Sequence, residues 1–395
     1  MKLAYFVHDL TDPAVTRRVR MLKAGGAEPV VLGFRRADAA PEALEGCATV
    51  DLGRTYDARL GHRARLTALA ALRSGRFRKL LEGAEVVLCR QLEMLAVGEA
   101  ARWTCGLKAK LAYEALDIHR IMLADAGKGR AMRAVEKALL RRSDLLIVSS
   151  PAFVDSYFAP VQGLGRDLRT PVMLVENKVL ELEGAGGAPL GPPPAGPPWR
   201  IGWLGAIRCR RSLDILTGLA QRRPDLLEVR IWGRPAHVEF ADFDGQVAAT
   251  PNVSFGGPYR AADLPLLYGQ THFSWAIDFM EEGLNSSWLL PNRIYESGRY
   301  GSVPVALSGV QTGRWLAEHS FGVRLSRPED LEGFLEGLTP ERYAALRREL
   351  EAQPRSAFVA DAGDCRRLTE GLRNPQPALG SNGQAIDSAS SKLAA

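Results

Sequence analysis

Cysteine is scarce in this 395-residue chain: Cys47, Cys89, Cys105, Cys209 and Cys365 are five in all and lie far apart. An odd, dispersed set offers neither a disulfide framework nor a Cys-x-x-Cys metal motif, and it suits a reducing compartment. Long apolar runs are missing too. The first, residues 3–7, stops at His8-Asp9 and is too short for a signal-peptide core. No stretch reaches the roughly 18 uncharged apolar residues of a membrane helix. The expectation is a cytoplasmic protein, or one held peripherally on the inner face of the cell membrane. Gly (39) and Pro (24) together make about 16%, too little for a fibrous or low-complexity chain. What is present, 46% apolar and 24% charged residues, is ordinary for globular domains and excludes wholesale disorder. The length asks for two or three of them.

The net charge of +6 is unevenly placed. Residues 1–200 hold 30 Lys/Arg against 22 Asp/Glu, whereas residues 201–395 hold 21 against 23. The basic excess of the first half points to an anionic surface, unless it is chance unevenness. Residues 54–79 carry eight Lys/Arg and a single acid, Asp57, with Leu66, Leu69, Leu72, Phe77 and Leu80 near helical spacing. This is a basic amphipathic stretch of the kind that lies on anionic lipid, with Arg63, Arg65, Arg76 and Arg78 as the membrane-surface candidates. The other reading is an ordinary surface helix whose apolar face meets the core. Lys128, Arg130, Arg133, Lys137, Arg141 and Arg142 add charge in the same half. With no aromatic interleaving or binding motif, nucleic acid is not expected as a partner.

Along the chain, short apolar runs alternate with amphipathic segments. Residues 3–7, 29–34, 86–89, 110–115, 145–148 and 172–175 read as strands, with helices near 14–23, 93–104, 152–158 and a charged one ending at Arg142. Strand, helix, glycine stop, strand is the opening of a βαβ unit and so of a parallel sheet. Between residues 183 and 198, 11 of 16 residues are Gly or Pro, which reads as an interdomain linker. The rhythm restarts with strands at 199–204, 229–232, 253–255, 274–277 and 303–307. Helices are expected near 213–220, 262–269, 291–299, 313–318 and 340–351. The spacing thus predicts an N-terminal α/β domain over 1–182, a linker over 183–198, a C-terminal α/β domain over 199–373 and a disordered tail over 374–395. The final Lys392-Leu393-Ala394-Ala395 could be a cloning scar.

In doubly wound domains ligands bind beyond the carboxyl ends of the strands, so polar residues directly after apolar runs are the candidates. After residues 201–204 comes Gly205-Ala206-Ile207-Arg208-Cys209-Arg210-Arg211-Ser212. A strand-end glycine admits a ligand to the backbone, the helix start behind it favours an anion, and the arginines supply fork donors for phosphate. The alternative is a solvated basic loop. A second cluster runs Pro291-Asn292-Arg293-Ile294-Tyr295-Glu296-Ser297-Gly298-Arg299-Tyr300-Gly301-Ser302. Pro291 can open a helix and Gly301 close it, leaving Arg293 near its start and Glu296 a turn later. Glu296 could accept two ribose hydroxyls, or it could merely stabilise the helix dipole. In the first half, Asp9, Asp117 and His119 follow strand ends. A carboxylate there can act as general base towards an acceptor hydroxyl, or simply cap a helix.

These two clusters, Gly-x-x-Arg-x-x-Arg-Ser-Leu-Asp and Pro-Asn-Arg-Ile-Tyr-Glu-Ser-x-x-x-Gly-x-x-Pro-Val, resemble the donor half of GT-B glycosyltransferases. The pattern is similar to that of glycosyltransferase family 4, the group 1 enzymes, over about residues 200–306. Tyr113-Glu114-Ala115-Leu116-Asp117-Ile118-His119 resembles that family's acceptor-side strand and loop. The resemblance implies two Rossmann-like doubly wound domains facing a central cleft. It further implies a nucleotide-diphosphate sugar, UDP- or GDP-linked, on the C-terminal domain. Arg208 and Arg211 would grip the diphosphate, Asn292 and Arg293 assist, and Glu296 would hold the ribose. Gly205, with Gly301 and Ser302, would let the backbone approach the donor, and Trp232-Gly233-Arg234-Pro235 would border the base. Asp117 and His119 would serve catalysis, with Asp9 on the acceptor side. One departure stands out: many members carry two glutamates eight positions apart, and eight before Glu296 is Trp288, the nearest acids being Glu281 and Glu282.

Two other motifs are set aside. Asp242-Phe243-Asp244 matches the metal motif of the other glycosyltransferase fold but lacks its context, so it reads as a surface loop and no cofactor or obligatory metal is expected. Gly184-Ala185-Gly186-Gly187 is linker rather than a dinucleotide fingerprint. The expected function is transfer of a sugar from a nucleotide sugar to a saccharide or lipid-linked acceptor in bacterial surface polysaccharide synthesis. The alternatives are a sugar-nucleotide epimerase on the same architecture and a non-catalytic nucleotide-binding scaffold at the membrane.

Overall fold

The computed structural model of the chain describes residues 1–56, 59–124, 127–182 and 191–376. Asp57, the glycine string at 184–187 and the tail beyond residue 376 lie outside the described residues. The chain divides into two compact units, Met1–Glu176 together with the chain from Asp361 onward, and Asn177–Ala360.

The first unit is built on strands β1 (Lys2–Val7), β2 (Glu28–Arg35), β3 (Ala43–Leu44), β4 (Cys47–Arg54), β5 (Val86–Arg90), β6 (Lys110–Ala115), β7 (Leu145–Val148) and β8 (Val172–Leu174). They form one sheet in the order β3-β4-β2-β1-β5-β6-β7-β8, parallel except for the β3–β4 hairpin. Helices on its faces bury the strands, which explains why β1, β5 and β7 read as continuous apolar runs rather than alternating ones. The helix Pro13–Ala24 begins where the Asp12 carboxylate accepts the Ala14 N–H at 2.8 Å, with Pro13 in its first turn. Its Val15, Val19 and Leu22 are fully buried.

The division departs from the expected one at both ends. The first boundary falls at Glu176/Asn177, ahead of the Gly/Pro run, and residues 191–198 belong to the second unit. The helix Ala362–Arg373, expected in the C-terminal domain, packs on the first unit. Its Thr369 Oγ1 donates to the Gly25 carbonyl at 2.7 Å, and a Cβ on Gly25 would stand 2.3 Å from the Cys365 carbonyl oxygen. Gly25 is therefore both helix stop and docking point. Spacing in the sequence cannot show a helix returning to a docking point 344 residues upstream.

In the second unit β10 (Trp199–Ile207), β11 (Leu227–Pro235), β12 (Val253–Phe255), β13 (Phe273–Trp275), β14 (Val303–Leu307) and β15 (Val323–Leu325) form a parallel sheet, ordered β12-β11-β10-β13-β14-β15. A separate parallel pair joins β9 (Val179–Leu180) to β16 (Val359–Ala360), the strands beside the two places where the chain passes between units. Trp199, Trp203, Trp275 and Tyr295 are fully buried in this core. The Asp242-Phe243-Asp244 motif is not a loop. Asp242 caps the helix Phe243–Ala249, accepting the Gly245 N–H at 2.9 Å, and Phe243 goes into the core.

The expected doubly wound α/β architecture is thus present in each unit. Each sheet has a switch point, where successive crossovers depart in opposite directions: between β1 and β5 in the first, between β10 and β13 in the second. Crevices open beyond the carboxyl ends of strands at such points. Among the described residues no helix is long and apolar enough to cross a membrane.

Candidate functional site

At the β10/β13 switch point the strand ends carry Gly205 through Arg208 on one side and Trp275 through Asp278 on the other. Gly205 (φ +109°) is in register with Gly233 (φ +145°), and a Cβ on Gly233 would fall 1.8 Å from the Gly205 carbonyl oxygen. Only glycine permits that backbone approach. Arg208 donates to the Asp278 carboxylate at 3.2 Å, and Asp278 also accepts the Met280 N–H at 2.9 Å. Arg211 donates to Glu282 at 2.7 Å and stacks on the Phe279 ring, its guanidinium 4.3 Å from the centroid. Both expected diphosphate ligands are therefore brought together, each answered by a carboxylate that the sequence reading left without a role.

Arg211 lies in the first turn of the helix Arg210–Arg222, whose start is capped by the Cys209 thiol accepting the Ser212 N–H at 3.4 Å. The helix dipole adds positive potential at this edge. Asn292, exposed, opens the helix Asn292–Tyr300. Arg293 reaches back to donate to the Trp275 carbonyl at 3.1 Å, so its guanidinium sits at the end of β13. One turn on, Glu296 accepts the Tyr268 hydroxyl at 3.0 Å. Burial and the Glu296 charge push the Tyr268 and Tyr259 phenols well above the usual tyrosine range, so both stay protonated as donors. Tyr259 stands beside Gly205: a Cβ there would lie 3.9 Å from its hydroxyl. Neither tyrosine was singled out in the sequence, since each occurs in a loop or helix without motif spacing.

Ser302 does not join this group. It precedes β14, at the opposite end of the sheet, fully buried, with its hydroxyl 2.8 Å from that of Thr271. Gly301 beside it (φ +84°) closes the helix Asn292–Tyr300. A helix entered from the carboxyl end of one strand delivers the chain to the amino end of the next, so both residues are structural.

At the β1/β5 switch point of the first unit, a buried ion network underlies the strand ends. Glu114, inaccessible to solvent, accepts from Arg18 at 2.6 Å, Tyr5 at 2.8 Å and Arg90 at 3.3 Å. Burial alone would raise the Glu114 carboxyl, but Arg18 and Arg90 override it and hold it below the ordinary range. Above the network, His8 Nδ1 and Arg90 Nε are buried without a hydrogen-bond partner among the described residues, and the buried Glu93 Oε1 has the Arg63 guanidinium 3.7 Å away. His8 Nε2 lies 3.5 Å from Asp12, and Gln91 next to Arg90 holds a positive φ of +72°. Unsatisfied polar atoms and backbone strain are thus gathered at the switch point, as they are where proteins meet ligands. His8 was missed because it merely ends the first apolar run.

Asp117, exposed, and His119 follow β6 on this edge. His119 Nδ1 caps the short helix Arg120–Leu123, accepting from Ile121 at 3.3 Å, which directs Nε2 outward as the N–H donor. Burial and the nearby Arg63 charge lower its imidazole below the usual value, against the pull of Asp117. Asp9 is not available to an acceptor. It is buried and accepts the Thr11 N–H and hydroxyl at 3.0 and 2.7 Å and the Arg36 N–H at 3.3 Å, fixing the turn after β1. Arg63 is engaged at this edge, 3.7 Å from Glu93, with its side chain partly exposed. Arg65, Arg76 and Arg78 are exposed.

No protein-family model matches the chain. It is 43% identical over 379 residues, covering 94% of this chain and 93% of the relative, to the succinoglycan biosynthesis protein ExoL of Rhizobium meliloti (strain 1021). Among solved structures it is similar to HepE of Anabaena in complex with UDP and glucose, at 15% identity and a TM-score of 0.65, covering 95% of this chain and 100% of that one. It is also similar to sucrose-phosphate synthase of Thermosynechococcus elongatus, at 15% identity and a TM-score of 0.62, covering 95% of each chain. S. aureus MnaA in complex with UDP shares the fold at 11% identity, a TM-score of 0.55, and 94% and 96% coverage. The chain belongs to the family of the succinoglycan biosynthesis protein ExoL, and its fold is the GT-B architecture.

Proposed function

We propose that the protein transfers one sugar from a UDP- or GDP-linked donor to a saccharide or lipid-linked acceptor, in the assembly of a bacterial surface polysaccharide. The observation that carries this reading is the β10/β13 edge. Arg208, Arg211 and Arg293 gather there with a helix start, and Glu296 is oriented by the Tyr268 hydroxyl one turn further on. Forked cations suit a diphosphate, and a fixed carboxylate suits a ribose diol. The ExoL relative is named for succinoglycan biosynthesis, and HepE is described with UDP and glucose, which supports both the pathway class and a nucleotide-sugar donor.

In the reaction the arginines stabilise the charge that develops on the departing diphosphate, so no obligatory metal is required. The acceptor is held by the first unit. Asp117 takes the proton of the attacking hydroxyl if the reaction inverts configuration, and His119 Nε2–H orients the acceptor. The cytoplasmic face of the membrane is the setting this acceptor implies. Incubation of the protein with radiolabelled UDP-glucose and a lipid extract of Rhizobium meliloti membranes tests the reading. Label should enter the lipid fraction with release of UDP. Conversion of UDP-sugar to an epimer without acceptor would overturn it in favour of an epimerase.

A further inference from the structure

The basic stretch presents its exposed surface at one end. The helix Leu60–Leu72 lies along the helix Leu92–Thr104, and their last turns are tied together. The Ser74 and Thr104 hydroxyls are 2.8 Å apart, Arg78 donates to the Thr104 carbonyl at 2.7 Å, and the Cys105 thiol reaches the Ser74 carbonyl at 3.5 Å. These bonds hold the ends of the two helices together, and Leu72 and Trp103 lie in their last turns. They are 82% and 81% exposed, far above any other large apolar side chain described except Val238. Arg73, Arg76, Arg78 and Lys79 follow Leu72 in the chain, all exposed, with Arg78 bonded to the end of the second helix, and Lys108, Arg141 and Arg142 of the same unit are exposed as well. Of the acids in this region, Glu99 is buried between Arg102 and Arg142 and Asp144 is 3.5 Å from Lys110, which leaves Glu82 exposed among several cations.

A tryptophan and a leucine left in water at a helix tip forgo burial of a large apolar area. The exposed arginines and lysines at this end of the helices make a protein core an unsuitable cover. They make an anionic bilayer a suitable one, because the indole sits at headgroup depth while the cations meet lipid phosphates. We propose that the tip formed by Leu72, Trp103, Arg73, Arg76, Arg78 and Lys79 docks the protein on the anionic membrane surface. This deepens the membrane setting of the function above but does not depend on catalysis. It also moves the contact. Arg63, near the start of the same helix, is held at the acceptor edge by Glu93, so the length of the helix is not the binding face.

The purified full chain is to be sedimented with phosphatidylcholine vesicles with and without phosphatidylglycerol. It should bind the anionic vesicles and not the neutral ones. Leu72→Ser with Trp103→Ser should weaken this by roughly tenfold or more. Arg73→Glu with Arg76→Glu and Arg78→Glu should weaken it by roughly a hundredfold or more. The first pair changes only exposed side chains, so its melting temperature should match the wild type and exclude misfolding as the cause. Equal binding to both vesicle types, or vesicle binding untouched by both sets, would overturn the proposal. So would a dimer that the Trp103 variant converts to monomer, which assigns the tip to a second copy, or binding to duplex DNA in place of vesicles.

Discussion

Arg208, at the end of β10, donates to Asp278, at the end of β13, across the switch point of the second sheet at 3.2 Å. The residue best suited to a diphosphate thus already has an anionic partner, and Arg211 repeats the arrangement with Glu282 at 2.7 Å. A donor must compete with these carboxylates or repel them. Asp278→Asn should therefore tighten UDP binding by roughly two- to fivefold, the range of a partly exposed ion pair. Titration calorimetry measures it, and weaker binding would show that Asp278 supports the donor instead of standing in for it.

Tyr268 aims the Glu296 carboxylate. Tyr268→Phe removes that hydrogen bond but leaves the charge, so UDP affinity should fall by roughly fivefold. Uridine, which keeps the ribose but lacks the phosphates, should lose affinity by the same factor. A loss seen with UDP alone would move Glu296 away from the ribose.

On the acceptor edge, Asp117→Asn keeps the shape and removes the base. Transfer from UDP-glucose should drop by roughly a hundredfold or more with UDP affinity unchanged. Full activity in this variant would pass the proton to another group, and His8, whose buried Nδ1 has no hydrogen-bond partner among the described residues, is one candidate at the switch point.

His272 gives the second unit a pH-dependent fastening. Its Nδ1 accepts the Arg200 N–H at 2.8 Å, and its Nε2 meets the Pro194 carbonyl at 3.1 Å, tying the proline-rich entry segment to the sheet. Burial, helped by the Arg200 charge, lowers the imidazole to about 4 against the pull of the Pro194 carbonyl and Glu228. The unfolded chain takes up this proton near the ordinary histidine value, the folded chain only near 4. The contribution to stability is therefore full above about pH 6.5 and drains away as pH falls toward 4. The melting temperature should drop over that interval, and His272→Gln should flatten part of the drop. An unchanged slope would mean that His272 does not titrate with unfolding.

Much of this was legible in order along the chain, because parallel strands buried on both faces are uninterrupted apolar runs. Residues 110–115, 145–148, 253–255 and 303–307 coincide with β6, β7, β12 and β14. The residues of the β10/β13 edge could be placed for the same reason: Gly205, Arg208, Arg211 and Arg293 sit near strand ends or helix starts, and Glu296 lies one turn further on. What depends on distant pairing was not. The helix Ala362–Arg373 docks on Gly25 from the far end of the sequence, and β9 pairs with β16 across the whole second unit. Ser302 failed because motif spacing does not say which end of a sheet a residue occupies. Asp9 failed because a strand-end carboxylate and a turn-capping carboxylate look alike until the Thr11 and Arg36 donors are placed.

The central claim is that a nucleoside diphosphate is held at the β10/β13 edge. Calorimetric titration of UDP and GDP into the wild type, Arg208→Ala and Glu296→Ala tests it most directly. At least one nucleotide should bind the wild type, and each variant should lose roughly ten- to a hundredfold in affinity, the cost of removing a charge-assisted hydrogen bond. Unchanged affinity in both variants would contradict the assignment.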